Sequence, residues 1–161
     1  MPGQAQSVSV RWGRVKDESI MLRYRVDGCA GLTLPKPTTP GPADGLWKTT
    51  CFELFLAQSS GHYHEFNFSP SGQWAAYGFS GYRNGREPIA PLALPVITID
   101  HGPHVFTLTV FLHAAELIGA RNASLTAVLE EARGRKSYWA SRHCGLQPDF
   151  HNPACFVLPI P

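Results

Sequence analysis

Glycine and proline interrupt this chain so often that a long helix has nowhere to form. Fifteen glycines and fourteen prolines are spread along 161 residues, and each tends to end a regular element or open a turn. Between these breaks the apolar residues recur with a period of two, the spacing of a strand with one buried face. In Ser19–Val26, Ile20, Leu22, Tyr24 and Val26 share one face, while Met21, Arg23 and Arg25 share the other. In Thr50–Ala57, Phe52, Leu54 and Leu56 oppose Cys51, Glu53 and Phe55. In His62–Ser69, Tyr63, Glu65, Asn67 and Ser69 oppose His62, His64, Phe66 and Phe68. The turns Ser59-Ser60-Gly61 and Pro70-Ser71-Gly72 link these last two segments to each other and to Gln73–Phe79, which predicts a β-meander.

The pattern continues toward the carboxyl end. Val96–Asp100 and Val105–Leu112 flank the turn His101-Gly102-Pro103-His104, and Leu125–Glu130 and Lys136–Ala140 read as closing strands. Ala114–Gly119 has room for one helical turn. Residues 33–45, with four prolines and two glycines, read as a long irregular loop, the kind that often carries function. Turn signals every eight to twelve residues (about one strand length) predict an all-β, two-sheet antiparallel β-sandwich. We expect a single ligand-binding domain over residues 1–161.

Composition removes several function classes. Apolar residues at 43% suffice for a core, while a formal charge of +2 leaves no basic face for nucleic acid. Arg133, Arg135 and Lys136 cluster, which reads as a solvated turn. No run approaches the roughly 20 apolar residues that cross a bilayer, and Met1–Ser9 lacks the basic start and apolar stretch of a leader. Cytoplasmic localisation is the resulting expectation. Cys29, Cys51, Cys144 and Cys155 have no metal-type spacing, so reduced thiols are expected instead of zinc ligands.

The sequence offers little for covalent chemistry. The nucleophile elbow Gly-x-Ser-x-Gly is absent, Ser71 sits in a turn, and no glycine loop precedes a helix to cradle phosphate. Glu53 and Glu65 fall on neighbouring strands and form the one candidate acid pair for glycoside hydrolysis. His62 and His64 point to one face, and His64 with His143 or His151 is the candidate set for a metal or haem. Aromatic residues beside polar ones are the stronger signal. Trp47 precedes the strand carrying Glu53, Tyr82 and Arg83 follow the strand carrying Trp74 and Tyr77, and Tyr138-Trp139 precedes Arg142, His143, Asp149 and His151. Flat rings stack on the apolar faces of sugars, while acid, amide and guanidinium groups hold hydroxyls.

The string Leu46-Trp47-Lys48-Thr49-Thr50-Cys51-Phe52-Glu53-Leu54-Phe55-Leu56, followed by Tyr63-His64-Glu65-Phe66-Asn67-Phe68-Ser69-Pro70-Ser71-Gly72, resembles the DOMON-like superfamily. It is most similar to bacterial DOMON-like proteins related to type 9 carbohydrate-binding modules. Ser137-Tyr138-Trp139-Ala140 and Asp149-Phe150-His151-Asn152-Pro153 extend the resemblance over residues 12–158. It implies a β-sandwich of two antiparallel sheets that binds sugars or haem, and with so little in the residues for covalent chemistry a binding module, not an enzyme, is expected. By that resemblance a saccharide lies between Trp47 and Trp139, assisted by Glu53; Tyr82, Arg83 and Asn67 are further candidate contacts on the residue pattern alone. Haem relatives use Met and His ligands. The only methionines here are Met1 and Met21, so haem would need two histidines. The expectation carried forward is two indoles, Trp47 and Trp139, facing one hollow.

Overall fold

The structure, a computed structural model, describes residues 4–161. Met1, the start of the stretch read for a leader and one of the two methionines weighed for haem, lies outside the described residues. Twelve strands follow in order. They are β1 (Ser7–Val15), β2 (Ser19–Asp27), β3 (Gly41–Pro42), β4 (Cys51–Ala57), β5 (Tyr63–Phe68), β6 (Gln73–Phe79), β7 (Glu87–Pro88), β8 (Val96–His101), β9 (Val105–His113), β10 (Asn122–Glu131), β11 (Arg135–Ala140) and β12 (Leu158–Pro159). The only helical elements among the described residues are short 3-10 turns, including the one expected near Ala114, at Ala114–Leu117. None is long and apolar enough to cross a membrane.

Two sheets face each other, as the alternation requires. The smaller has the order β1-β2-β9-β8, and the larger β11-β10-β4-β5-β6-β3, with β12 paired to β10 and β7 to β6. All pairs are antiparallel except β3 with β6. β1 extends the sequence reading, which began its strands at Ser19. As an edge strand it alternates serines and Arg11 with half-buried Val8, Val10 and Trp12, a weaker signal than a fully buried face. The loop at 33–45 is less irregular than expected, because Thr38 donates to the Ser71 carbonyl and Ala43 to that of Trp74. These bonds lay the loop along β6 as an edge, where missing proline donors cost no ladder bonds.

The core lies between the sheets. Ile20, Leu22, Tyr24 and Val26 of β2 and Phe106, Leu108, Val110 and Leu112 of β9 meet Phe52, Leu54 and Leu56 of β4 and Phe66 and Phe68 of β5. Phe52 stands at its centre, with its ring 5.1 Å from Tyr24 and 5.8 Å from Phe106. The larger sheet departs from the usual antiparallel pattern of one wet face. Six of the seven residues of β4 are fully buried, so its outer face is covered too. There Cys51, Phe55, Tyr63, Ala75, Tyr77 and Phe79 form a second apolar cluster with Leu46 and Phe156. All four cysteines are free, with Cys29, Cys51 and Cys155 buried.

One polar contact crosses the core. The Tyr24 hydroxyl donates to the Glu53 carbonyl at 2.7 Å, tying the small sheet to the strand that carries Glu53. Removing it leaves the buried carbonyl short of a donor without opening a large cavity. Tyr24→Phe is therefore expected to lower stability by about 1–2 kcal/mol while preserving the fold. Denaturant titration checks this, and an unchanged midpoint would show that the bond contributes nothing net.

Candidate functional site

The pleat that sends Phe52 and Leu54 into the core sends Glu53 to the opposite side of β4. On β5 the same parity sends Glu65 and Asn67 there, and the register places Asn67 directly across from Glu53 and Glu65 across from Phe55. On β10, Thr126 pairs with Glu53 and Val128 with Cys51. Three segments rise around this outer face. One is the 3-10 turn Leu46–Lys48, which carries Trp47. The second is the turn holding Arg83 and Arg86, where Gly85 has a positive φ of 69° and a Cβ would collide with the Ser80 hydroxyl. The third is the stretch 141–157, which contributes Pro148, Phe150 and His151. Together they enclose a cavity of about 460 Å³, with Glu53, Glu65 and Val128 at its base and Trp47, Phe79, Tyr138 and Phe150 among its walls.

The acids at the base of the cavity are buried. Glu53 is only 3% exposed and accepts a hydrogen bond from the Thr126 hydroxyl at 3.2 Å. Burial, reinforced by the charge of Glu65, pushes its carboxyl well above the ordinary range. Glu65 is 5% exposed, and burial lifts it to about 7. The His151 imidazole lies 3.2 Å from Glu65 through Nε2, and its Nδ1 lies 2.7 Å from the Tyr63 hydroxyl. Burial and the Arg83 charge hold His151 down to about 4, so the ring is neutral at pH 7. The Tyr63 oxygen also accepts from the Arg83 backbone N–H at 3.1 Å. Arg83 N–H thus donates to Tyr63 and Tyr63 O–H to Nδ1, which leaves Nε2 as the protonated nitrogen facing Glu65. Asn67 is fully buried, and neither atom of its amide has a partner at hydrogen-bond geometry, although it draws the Glu65 pKa downward. A buried amide without partners is costly unless a ligand or water completes it.

The rim is aromatic and cationic. The Arg83 guanidinium pairs with Asp149 at 2.8 Å, and Asp149 also accepts from the Tyr82 hydroxyl. The Arg86 guanidinium lies over two rings, 5.4 Å from the Trp47 centre and 4.8 Å from that of Tyr77. Tyr77 in turn donates to Asp44, fixing the loop from which Trp47 rises.

Sequence reasoning is thus partly matched in space. Trp47, Glu53 and Arg83 line one cavity, joined by Glu65 and His151. Asn67 lies on the same sheet face, and the exposed Tyr82 braces Asp149 at the rim. Trp139 is a correction. On β11, Tyr138 pairs with Val128 on the outer face, so its neighbour Trp139 turns inward against the core. It lines a separate pocket of about 200 Å³ with Trp12, and the two expected indoles do not share a hollow. The histidine set separates for the same reason. His64 shares the inner parity of Phe66, whereas His151 lines the cavity and His143 stacks on Phe150 at 6.3 Å. Among the described residues no group of three or more His, Cys, Asp and Glu residues is placed to hold a metal. Sequence reasoning missed Arg86, Phe79, Pro148 and Phe150 as site residues. Arg86 and Pro148 sit in turn-rich stretches without periodicity, and only strand parity could have found Phe79.

No protein-family model matches this chain, and no curated protein matches it. Among solved structures it is similar to a crystal structure from Bacteroides uniformis, titled a "putative carbohydrate-binding protein". Identity is 17%, the TM-score is 0.66, and the match covers 96% of this chain and 78% of the other. That likeness shows a shared fold.

The buried acid at Glu65 makes a pH-dependent stability prediction. Its folded pKa of about 7 exceeds its ordinary value of 4.5, so its contribution is complete below 4.5 and is lost as pH rises through 7. The shift is equivalent to about 3 kcal/mol. Glu65→Gln removes the charge, so its stability relative to the parent should be near zero at pH 4 and climb between pH 5 and 8. Thermal melts across that range test it. A difference that is the same at pH 4 and pH 8 would contradict the assignment.

Proposed function

We propose that this chain is a non-catalytic saccharide-binding module of the DOMON-like kind, and that its ligand occupies the cavity over Glu53 and Glu65. The observation that carries this reading is a base of buried acids beside an imidazole, walled by aromatic rings. Trp47, Tyr138 and Phe150 offer apolar faces to a sugar ring, while Glu53, Glu65 and His151 offer hydrogen bonds to its hydroxyls. The volume of about 460 Å³ lies within the range of small-ligand sites and suits one or two sugar units. The printed description of the Bacteroides uniformis protein supports the same ligand class.

The placement of the acids favours binding over hydrolysis. Glycosidases set their two carboxyls on either side of the scissile bond. Here both rise from one face of one sheet, on neighbouring strands two residues out of direct register. A ring lying on this base meets both acids from the same side. Each is also engaged, Glu53 with Thr126 and Glu65 with His151.

Calorimetric titration with a panel of mono- and disaccharides tests the proposal. At least one sugar should bind, Trp47→Ala should weaken it about tenfold or more, and Trp139→Phe, outside the cavity, should leave it unchanged. That tenfold loss corresponds to about 1.4 kcal/mol of lost contact. Release of nitrophenol from nitrophenyl glycosides would refute the non-catalytic assignment. Equal sensitivity to the two tryptophan substitutions would refute the location.

A further inference from the structure

Among the described residues, one of the two arginines lining the cavity has no ion-pair partner. Arg83 is neutralised by Asp149 at 2.8 Å. Among the described residues Arg86 has no carboxylate within 4.0 Å, although it lines the same cavity. Asp44, an acid of the same rim, is committed to the Tyr77 hydroxyl. Arg86 is nevertheless held in place. Its guanidinium covers the Trp47 and Tyr77 rings, and those two rings meet edge to face with centres 6.2 Å apart. The contacts with the two rings use none of its N–H groups in a hydrogen bond and leave them free to donate.

A guanidinium with unused N–H donors and no ion-pair partner among the described residues is suited to bidentate contact with the carboxylate of a ligand. The base of the cavity presents little charge to such a neighbour, because burial raises the Glu53 carboxyl, lifts Glu65 to about 7 and holds His151 down to about 4. We infer that the saccharide bound here is a uronic acid, with its carboxylate held at the rim by Arg86. This rests on the saccharide reading above and narrows it to acidic sugars. On this view Arg86 sets specificity, while Trp47 and the buried acids serve neutral and acidic sugars alike.

Paired titrations of the whole chain with glucose and glucuronate, galactose and galacturonate, and mannose and mannuronate at pH 7 test the inference. For at least one pair the uronate should bind ten times tighter than its parent hexose or better. In Arg86→Gln that advantage, the ratio of uronate to hexose affinity, should shrink to within threefold. Arg86→Lys, which keeps the charge but loses the fork, should retain only part of it. If Arg86→Gln does not fold, the unmodified chain still decides the matter. Uronate affinity should fall several-fold between 50 and 500 mM NaCl, and hexose affinity should not. Hexoses bound as tightly as uronates, or a preference that survives Arg86→Gln, would overturn this inference alone. If no sugar of either kind binds, the saccharide reading falls and this inference with it.

Discussion

Everything distinctive about this molecule follows from a sheet that is buried on both faces. An antiparallel sandwich ordinarily packs one face of each sheet and leaves the other to water. Here β4 and β5 carry aromatic residues on both sides. Phe52, Phe66 and Phe68 fill the space between the sheets, while Phe55 and Tyr63 fill the space outside them. Two-sided burial is what puts carboxyl groups in a dry environment. Had the outer face been wet, Glu53 and Glu65 would be ordinary surface acids.

The cost of that environment explains the network around it. A buried carboxyl is tolerated when it holds a proton or is richly hydrogen-bonded. Burial pushes Glu53 toward the first course, with the Thr126 hydroxyl as a donor to it. Glu65 is raised as well, to about 7, and faces His151, which is bonded to Tyr63 and through it to the Arg83 backbone. His151 belongs to the segment beyond β11, so this chain of bonds fastens the carboxyl-terminal wall to the sheet. Phe55, Phe79 and Tyr63 pack edge-on around the same imidazole, with centres 5.1, 5.1 and 5.7 Å away. The site is therefore polar at its base and aromatic at its joints, an arrangement that holds it in shape before any ligand arrives.

Strand periodicity made the architecture legible. The alternation in Ser19–Val26, Thr50–Ala57 and Val105–Leu112 named the core faces correctly, because a period of two is a property of the backbone itself. The same alternation put Glu65 and Asn67 on one face of their strand and Glu53 opposite Phe52 and Leu54 on its own, while the register that joins the three on one covered face comes from the pairing of β4 with β5. What periodicity could not supply was pairing between distant strands. Whether Trp139 or Tyr138 points toward the cavity depends on register with β10, fixed by Ala127 opposite Trp139 and Val128 opposite Tyr138. A shift of one residue would exchange them. The residues of turns were less legible still, since the positions of Arg86, Pro148 and His151 are set by tertiary contacts that leave no local pattern.

Register also accounts for the character of the two hollows that contain tryptophan. Trp12 and Trp139 meet at an open side of the sandwich, where β1 and β11 lie along their sheet edges, among Val8, Val10, Leu125 and Leu158. That slot is smaller, and no acid, amide or cation lines it, so it resembles an unfilled margin of the core. Trp47 stands instead at the mouth of the larger cavity, with Arg86 over its ring and carboxyl groups beneath. Indoles by themselves do not distinguish packing from recognition. The distinction comes from the company they keep: polar groups held out of water where a ligand's own polar groups can replace it.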